Sequence, residues 1–378
     1  MNHTQEIRMV DLHKQFLPLE EEIMAGWQQV LRQSSFINGP PVAAFENELA
    51  TYLRINHVIG CANGTDALLI ALLALGIKPG DEVITTPFTF VATVESIALL
   101  GAIPVFVDIQ PLTYNLDPKK IESAITSRTK GILPVHLYGQ CADMEPILKI
   151  AYTNELWVLE DNAQSIGAEY RFSQRKTAKA GTMGHIGTTS FYPSKNLGAY
   201  GDAGAIFTSS DEMAHKCRAI RDHGHKKKYL SEEVGVNSRL DSLQAIVLSA
   251  KLKRLESYNL ARKTVALAYN AALKECSDLD TPFAAPWSTH VYHQYTLRVD
   301  KNRDILREKL AQAGIPSMIY YPYPLHLHKP YRAHYKEGDF SISEDSAKQT
   351  ISLPIHTEMT MSEISFIAET FIHIYRNI

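Results

Sequence analysis

Short runs of β-branched and other apolar residues alternate along the chain with longer stretches of helical spacing. Five such runs predict strands, at 57–61, 82–86, 103–107, 132–137 and 156–160. Helical patterns between the runs are typical of the strand–helix–strand units that build a parallel sheet. We therefore predict an α/β fold around a large, mostly parallel sheet.

The pattern changes after Gly204. A strand predicted at 205–208 precedes long charged helices over 241–273, and the alternating strand 295–299 is followed by further helical patterns. This mixture is typical of a small α+β domain. With 378 residues, of which 45% are hydrophobic, the chain is long enough for a large domain and a smaller one. We place the boundary near residue 260.

That boundary divides the chain into a large domain at 1–260 and a small C-terminal domain at 261–378.

The 38 Lys and Arg residues nearly balance the 41 Asp and Glu residues, and a formal charge of −3 provides no basic field for nucleic acid. No apolar stretch approaches the roughly 18 residues of a membrane span, and the first ten residues contain no apolar leader core. We expect a cytoplasmic protein without membrane or nucleic-acid partners.

The cysteines indicate neither a disulfide framework nor a metal site. They occur without any C-x-x-C pair, at Cys61, Cys141, Cys217 and Cys276. A reducing compartment suits this usage, and no metal is expected.

One lysine lies in an apolar and aromatic stretch that leads into a glycine-rich loop. Lys195 falls within residues 190–204, whose glycines follow the spacing G-x-x-G-x-x-G and not the G-x-G-x-x-G of a dinucleotide turn. An amine that acts as a covalent catalyst must lose its proton near neutral pH, and apolar surroundings favour that loss. Lys195 has such neighbours, although a lysine beside a turn is more often a surface residue.

A carboxylate follows one of the predicted strands directly. Asp161 comes after the run 156–160, and ligands of parallel sheets gather at the carboxyl ends of strands. Pyridoxal-phosphate (PLP) chemistry requires a fixed carboxylate against the pyridine nitrogen, because the protonated ring then draws electrons from the reacting carbon. Asp161 is a candidate for this group, and an aspartate that caps a helix is the alternative interpretation.

A phosphate site is indicated where the first predicted strand meets a helix. At Asn63-Gly64-Thr65 the free N–H groups of a helix start and the Thr65 hydroxyl would favour an anion. The same residues also make an ordinary helix start.

The phosphate site, the carboxylate and the lysine occur in the chain order of fold-type I PLP enzymes. The sequence resembles the DegT/DnrJ/EryC1/StrS sugar aminotransferases over nearly its whole length. The segments that carry the resemblance are 64–68, 87–93, 160–161, 193–198 and 237–241.

This resemblance implies an aspartate aminotransferase-like fold with PLP as the cofactor. By analogy, Gly64, Thr65 and Ser190 would hold the phosphate and Phe90 would stack on the ring. Lys195 would form the Schiff base with the cofactor.

The remaining cofactor contacts are also implied by the resemblance. Asp161 would meet the ring nitrogen, and Gln164 would lie by the phenolic oxygen. Asn237 would reach a phosphate in the neighbouring subunit, which implies a homodimer with shared active sites.

The resemblance implies transfer of an amine from L-glutamate to a nucleotide-linked keto-sugar, with Lys195 moving a proton between substrate and cofactor carbons. A closer similarity, in segments 137–143, 294–296 and 321–326, is to enzymes acting at the C3 ketone of UDP-N-acetylated hexosamine derivatives. A TDP-linked 3-keto- or 4-keto-6-deoxyhexose remains an alternative substrate. A PLP-binding regulator without turnover remains an alternative function.

Three residues are expected to contact the sugar. In those relatives a segment matching Arg239, Tyr320 and Tyr321 approaches the sugar from the partner subunit. Arg239 suits a carboxylate or a diphosphate, and a structural salt bridge with Asp241 or Asp202 is its alternative role. Uronate-specific members have histidine where this sequence has Tyr320, which leaves uronate and neutral sugars both open.

Overall fold

The structure is a computed structural model that describes residues 6–227, 229–276, 278–300 and 302–378. Residues 1–5, part of the polar N-terminal stretch considered above, lie outside them. The α-helices of the described residues are α1 Leu12–Phe16, α2 Glu20–Gln33, α3 Pro40–Leu53, α4 Gly64–Ala74, α5 Ala92–Leu99, α6 Met144–Thr153, α7 Asp211–Ile220, α8 Ser242–Leu252, α9 Leu255–Leu273, α10 Arg303–Gln312, α11 Ser341–Gln349 and α12 Met361–Tyr375. The strands are β1 His57–Cys61, β2 Glu82–Thr85, β3 Ile103–Phe106, β4 Thr129–Ile132, β5 Trp157–Asp161, β6 Glu169–Arg171, β7 Thr177–Lys179, β8 Ile186–Ser190, β9 Gly204–Thr208, β10 His225–Lys227, β11 Leu230–Ser231, β12 Leu279–Asp280, β13 Tyr295–Val299 and β14 Thr350–Leu353.

A seven-stranded mixed sheet forms the centre of the larger part of the molecule. Its strand order is β1-β9-β8-β5-β4-β2-β3. Six strands run in the same direction, and β9 is antiparallel to both of its neighbours. The predicted large, mostly parallel sheet is confirmed.

Both faces of this sheet are covered. Val58 packs in the core that contains α3 and α8, whereas the next residue, Ile59, packs in the core that contains α4. Val158 and Leu159 of β5 divide in the same way between two cores. Successive side chains of a strand point to opposite faces, and a sheet covered on both faces needs apolar residues at every position. This explains the unbroken apolar runs in the sequence.

The observed strands match the predicted runs closely, with one displacement. The strand β4 covers Thr129–Ile132, so only residue 132 of the run predicted at 132–137 lies in it. Pro134 has no N–H group to continue the ladder, and the chain leaves β4 in an extended course that bridges β5 again at Val135. Strand β8 was not predicted, because its Gly and Thr residues give a weak strand pattern.

The predicted charged helices over 241–273 are two helices, α8 and α9, that meet at Lys253 and Arg254. Helix α9 continues through residue 260. The domain boundary at that residue therefore stays a prediction.

The C-terminal part contains its own core. The antiparallel sheet β12-β13-β14 packs with α9, α10 and α12. Ile7, near the start of the described chain, packs against this core as well. Among the described residues, no helix combines the length and the apolar character needed to cross a membrane.

Candidate active site

Candidate residues meet at one edge of the central sheet. Strand β5 ends at Asp161 and strand β8 ends at Ser190, while β1 leads through Asn63 into α4. These three strands run in the same direction, so that their carboxyl ends lie at the same edge. This edge is where ligands of such sheets bind.

Asp161 is buried and both of its carboxylate oxygens are fixed. The Thr93 hydroxyl donates to Oδ2 at 2.8 Å, and the Ala163 N–H donates to Oδ1 at 3.1 Å. Its backbone is held as well, since its N–H donates to the Pro134 carbonyl and its carbonyl accepts from the His136 N–H, both at 2.9 Å. A carboxylate held in this way is oriented before any ligand binds.

Gly64 allows the start of α4 to approach Ser190. A Cβ atom on residue 64 would lie 2.6 Å from the Ser190 Cβ, which no larger residue could tolerate without a shift. The Asn63 side chain caps the helix by accepting from the Asp66 N–H at 2.8 Å. Gly64, its neighbour Thr65 and Ser190 therefore form a compact polar group at a helix N-terminus, the arrangement that favours a phosphate.

Lys195 lies on the loop that follows β8. Its backbone N–H donates to the Tyr192 carbonyl at 2.8 Å. Burial lowers the pKa of Lys195 from 10.5 to about 8, and the negative charge of Asp161 opposes this shift. The two groups thus lie close enough to interact, as the sequence-based proposal required.

The aromatic residues lie beside Gln164. Gln164 accepts from the Tyr138 N–H at 2.8 Å and donates from Nε2 to the Tyr321 hydroxyl at 3.0 Å. The Tyr321 ring lies 6.2 Å from the ring of Phe90, which is 55% exposed and therefore accessible for stacking. The structure brings Phe90, Gln164 and Tyr321 together within one chain.

Tyr320 is held by its backbone. Its carbonyl accepts a hydrogen bond from the Tyr138 hydroxyl, and its side chain is half-buried. Burial raises the pKa of Tyr320 above its usual value. The resemblance implies that this segment approaches the sugar from the partner subunit. In the described chain, however, Tyr321 contacts Gln164 of its own chain.

Asn237 and Arg239 lie apart from the other candidates. Asn237 is exposed and pairs with Asp222 in an isolated β-bridge. Arg239 donates to Asp222 Oδ1 at 2.9 Å, so it forms a salt bridge with Asp222 and not with Asp241 or Asp202, the partners considered for its alternative role. The reason is tertiary, because the bridge between 222 and 237 brings these two segments side by side.

The segment of Asn237 and Arg239 nevertheless adjoins the phosphate group. The Ser238 hydroxyl accepts from the Ala62 N–H at 3.1 Å, two residues before Gly64. Among the described residues, no contact joins Asn237 or Arg239 to Asp161 or Lys195. The Arg239 Nε atom is buried without a hydrogen-bond partner.

Sequence reasoning missed two residues of this site. Thr93 lies at the end of segment 87–93 and has no role in the sequence-based prediction, although it donates to Asp161. Its position four residues after Thr89, whose hydroxyl it contacts at 3.0 Å, is the available signal. His293 is buried, and its pKa is held far below its usual value by burial and by the positive charges of Lys195 and Arg262. No local pattern marks His293 as a neighbour of Lys195.

The arrangement fits PLP. The close approach of Gly64 to Ser190 brings the Ser190 side chain to the N-terminus of α4, where a phosphate would bind. A buried carboxylate and an amine of lowered pKa stand at the same edge for the ring nitrogen and the Schiff base. Within the described parts of the chain, no group of three or more His, Cys, Asp or Glu residues is placed to bind a metal ion.

Known proteins are similar to this chain in sequence and in fold. A family model described as the DegT/DnrJ/EryC1/StrS aminotransferase family matches residues 18–372. A "Pleiotropic regulatory protein" of Geobacillus stearothermophilus is 48% identical, with 98% of this chain and 99% of the relative covered. A UDP-2-acetamido-2-deoxy-3-oxo-D-glucuronate aminotransferase of Pseudomonas aeruginosa is 46% identical, with 96% and 98% covered.

A solved structure supports the same assignment. DesV of S. venezuelae, in complex with a ketimine intermediate, superposes with a TM-score of 0.95 at 37% identity and covers 99% of this chain and 100% of its own. The sheet topology and these matches agree, and the predicted fold-type I architecture is confirmed. The chain belongs to the DegT/DnrJ/EryC1/StrS family of PLP-dependent nucleotide-sugar aminotransferases.

Proposed function

We propose that this aminotransferase transfers an amino group from L-glutamate to the C3 ketone of a UDP-linked N-acetylhexosamine derivative. The observation that carries the proposal is the near full-length similarity to the Pseudomonas enzyme, whose name specifies a UDP-linked 2-acetamido 3-oxo sugar. The segments 137–143, 294–296 and 321–326 support the same substrate class.

Each residue at the sheet edge has a distinct task in this proposal. PLP, when bound, draws electrons from the carbon that carries the amine. Gly64, Thr65 and Ser190 would hold its phosphate, Phe90 would cover the ring, and Asp161 would face the ring nitrogen. Thr93 and Ala163 keep the Asp161 carboxylate in a fixed orientation.

Lys195 is proposed as the residue that holds the cofactor and moves the proton. With a pKa of about 8, its Nζ atom is neutral in a useful fraction near neutral pH and can accept a proton from the substrate carbon. Such a general base contributes roughly 10²–10⁴-fold to the rate.

Lys195→Ala tests this role directly. The variant should bind no PLP that borohydride can fix covalently, and amine transfer should cease. Lys253→Ala is the matched control, because Lys253 is an exposed lysine that pairs with Glu22. Peptide mass spectrometry of the reduced wild-type protein should find PLP on Lys195, and PLP on another lysine would refute the assignment.

The sugar is tested by a substrate panel. UDP- and TDP-linked sugars with a ketone at C3 or C4, each in neutral and uronate forms where possible, should be compared by kcat/KM with L-glutamate as donor. We expect the UDP-linked 3-keto sugars to have the highest values. A preference for TDP-linked or 4-keto sugars would overturn the proposal and support the alternative substrate.

A homodimer with shared active sites completes the proposal. Asn237 is exposed and the Arg239 side chain is 26% exposed, so both can contact a second chain. Arg239 would then reach the diphosphate or a sugar carboxylate in the neighbouring site.

The regulatory name of the Geobacillus relative describes that protein. In this chain, the amine and the carboxylate at one sheet edge are the groups that turnover requires, and the −3 charge provides no basic surface field for DNA. We therefore retain the enzymatic proposal.

A further inference from the structure

The loop that carries Lys195 has no regular secondary structure. Residues 191–200 follow β8 without forming a helix or strand, so hydrogen bonds must fix their course. Within the loop, the Lys195 N–H donates to the Tyr192 carbonyl and the Ala199 N–H donates to the Phe191 carbonyl, both at 2.8 Å. The loop is therefore closed on itself around Lys195.

Helix α8 holds this loop at two points. Near the start of the helix, Gln244 accepts from the Tyr200 N–H at 2.8 Å and donates to the Tyr200 carbonyl at 3.3 Å. Near its end, the Lys251 ammonium donates to the Gly198 carbonyl at 2.8 Å and lies 4.3 Å from the centre of the Tyr200 ring. The two contacts reach the same short segment, three to five residues after Lys195.

A third contact holds the loop from another direction. Asn196, which adjoins Lys195, donates from its side chain to Asn259 of α9 at 2.8 Å and to the Val291 carbonyl at 3.1 Å. The polypeptide that follows Lys195 is thus attached to both α8 and α9.

Lys251 is an unfavourable residue for a buried position. Its side chain is 0% exposed, and none of the ion pairs of the described residues includes it. A buried amine without a carboxylate partner, whether charged or neutral, costs more free energy than an apolar side chain of similar volume. Burial lowers the pKa of Lys251 to about 7. Conflicts between local stability and the observed residue are most often found at functional sites.

We propose that Lys251 is a positioning residue for Lys195. Its hydrogen bond to Gly198 fixes the loop so that the partly buried Lys195 side chain keeps its position near Asp161. The inference rests on the proposed role of Lys195 and adds a residue outside the cofactor contacts.

The loop geometry makes Gly198 the sensitive point. A Cβ atom on residue 198 would lie 2.2 Å from the Pro193 carbonyl oxygen, so the two sides of the loop are already in contact there. Loss of the Lys251 donor leaves the buried Gly198 carbonyl without a hydrogen bond. The loop is then stabilised by a movement that turns this carbonyl towards water. Such a movement would expose Lys195.

The test measures the Lys195 amine in the cofactor-free protein. Lys251→Met keeps the volume and removes the donor, whereas Lys251→Arg keeps a charged donor. Labelling of Lys195 by trinitrobenzenesulfonate, followed across pH by peptide mass spectrometry, reports the fraction of neutral amine. In Lys251→Met we expect the midpoint to rise by about one pH unit towards that of an ordinary lysine, which lowers labelling at pH 8 about fivefold. Lys251→Arg should restore part of the difference.

Val247→Ala is the control for general destabilisation of α8. Val247 is buried on the same helix among Leu19, Ile23 and Ala250, and it makes no hydrogen bond to the loop. This variant should melt at a lower temperature yet keep the wild-type labelling midpoint. Lys251→Leu, which also removes the donor, replaces Lys251→Met if that variant does not fold.

A labelling midpoint that is unchanged in Lys251→Met or Lys251→Leu would overturn the inference and leave Lys251 a packing residue. Failure of the Lys195 proposal would be visible elsewhere, as PLP fixed to a different lysine in the wild-type protein. The two results are independent, because the labelling experiment uses no cofactor.

Discussion

At the scale of single residues, two opposing effects set the state of the Lys195 amine. Burial lowers its pKa to about 8, and the negative charge of Asp161 favours the protonated form. The amine is therefore neutral above about pH 8, whereas an ordinary lysine at that pH is neutral in only about 0.3% of molecules. Asp161 thus limits how far the pKa of Lys195 falls.

Replacement of Asp161 tests this balance. Asp161→Asn removes the charge that favours the protonated amine, so the midpoint of Lys195 labelling in the cofactor-free protein should move below pH 8. Asp211→Asn, at an exposed aspartate that pairs with His57, is the control and should leave the midpoint unchanged. An upward movement in Asp161→Asn would contradict the proposed proximity.

Thr93 contributes one well-defined hydrogen bond, the 2.8 Å contact to Asp161 Oδ2. Thr93→Val removes it and leaves a buried carboxylate oxygen without that partner, at a cost of about 1–3 kcal/mol. We expect PLP to bind about tenfold more weakly, measured by fluorescence titration, and kcat to fall.

A matched control lies on the same helix. Ser96 is also buried, but its hydroxyl donates only to the Thr93 carbonyl, at 3.1 Å. Ser96→Ala should leave the PLP affinity near that of the wild type. Equal losses in both variants would show that the hydroxyls matter for helix packing and not for Asp161.

At the scale of elements, the end of β5 is supported from behind by its neighbour Glu160. This buried carboxylate contacts His136 at 2.8 Å and accepts from the backbone N–H groups of Gly181, Met183 and Gly184. The chain segments on both sides of β5 are thereby attached to the residue that precedes Asp161. The strand end is fixed by this network as well as by the sheet.

Glu160→Gln should disrupt that network. The amide group brings N–H donors against the backbone donors that now face the carboxylate, and a buried donor left unsatisfied costs about 1–3 kcal/mol. Urea unfolding of the cofactor-free protein should show a correspondingly lower free energy of unfolding. Glu122→Gln, at an exposed glutamate, should change it little. A Glu160→Gln variant of wild-type stability would show that the network is dispensable.

At the scale of the whole molecule, the proposed shared site makes a prediction about mixtures. Lys195→Ala and Arg239→Ala should each be nearly inactive as homodimers. If Arg239 serves the site of the other subunit, each hybrid dimer contains one intact site, and random exchange in an equal mixture should restore about a quarter of the wild-type activity.

The control for this experiment pairs Lys195→Ala with the double variant that carries both substitutions. That mixture contains no intact Lys195 and should remain inactive. Native mass spectrometry would verify that subunits exchange. Exchange without recovered activity would place Arg239 in the site of its own chain, or outside the site.

The sequence by itself determined the local features of this protein. Apolar runs located β1, β2, β3 and β5 because strand propensity and burial act over a few residues. Gly64, Asp161 and Lys195 could be proposed as cofactor residues because each belongs to a short motif whose chemistry is carried by neighbouring residues. The displaced end of β4 shows the limit of this reasoning, since a proline within an apolar run decided where the ladder stopped.

Only the tertiary structure decided which distant residues meet. The partner of Arg239 is Asp222 because a bridge between two segments aligns them, and the hydrogen bond of Thr93 to Asp161 joins a helix start to a strand end. The sequence around Lys251 indicates an ordinary helix residue. In the fold, its buried amine donates a hydrogen bond to the loop of Lys195. Such contacts depend on packing between elements far apart along the chain, which no local pattern of apolar and polar residues encodes.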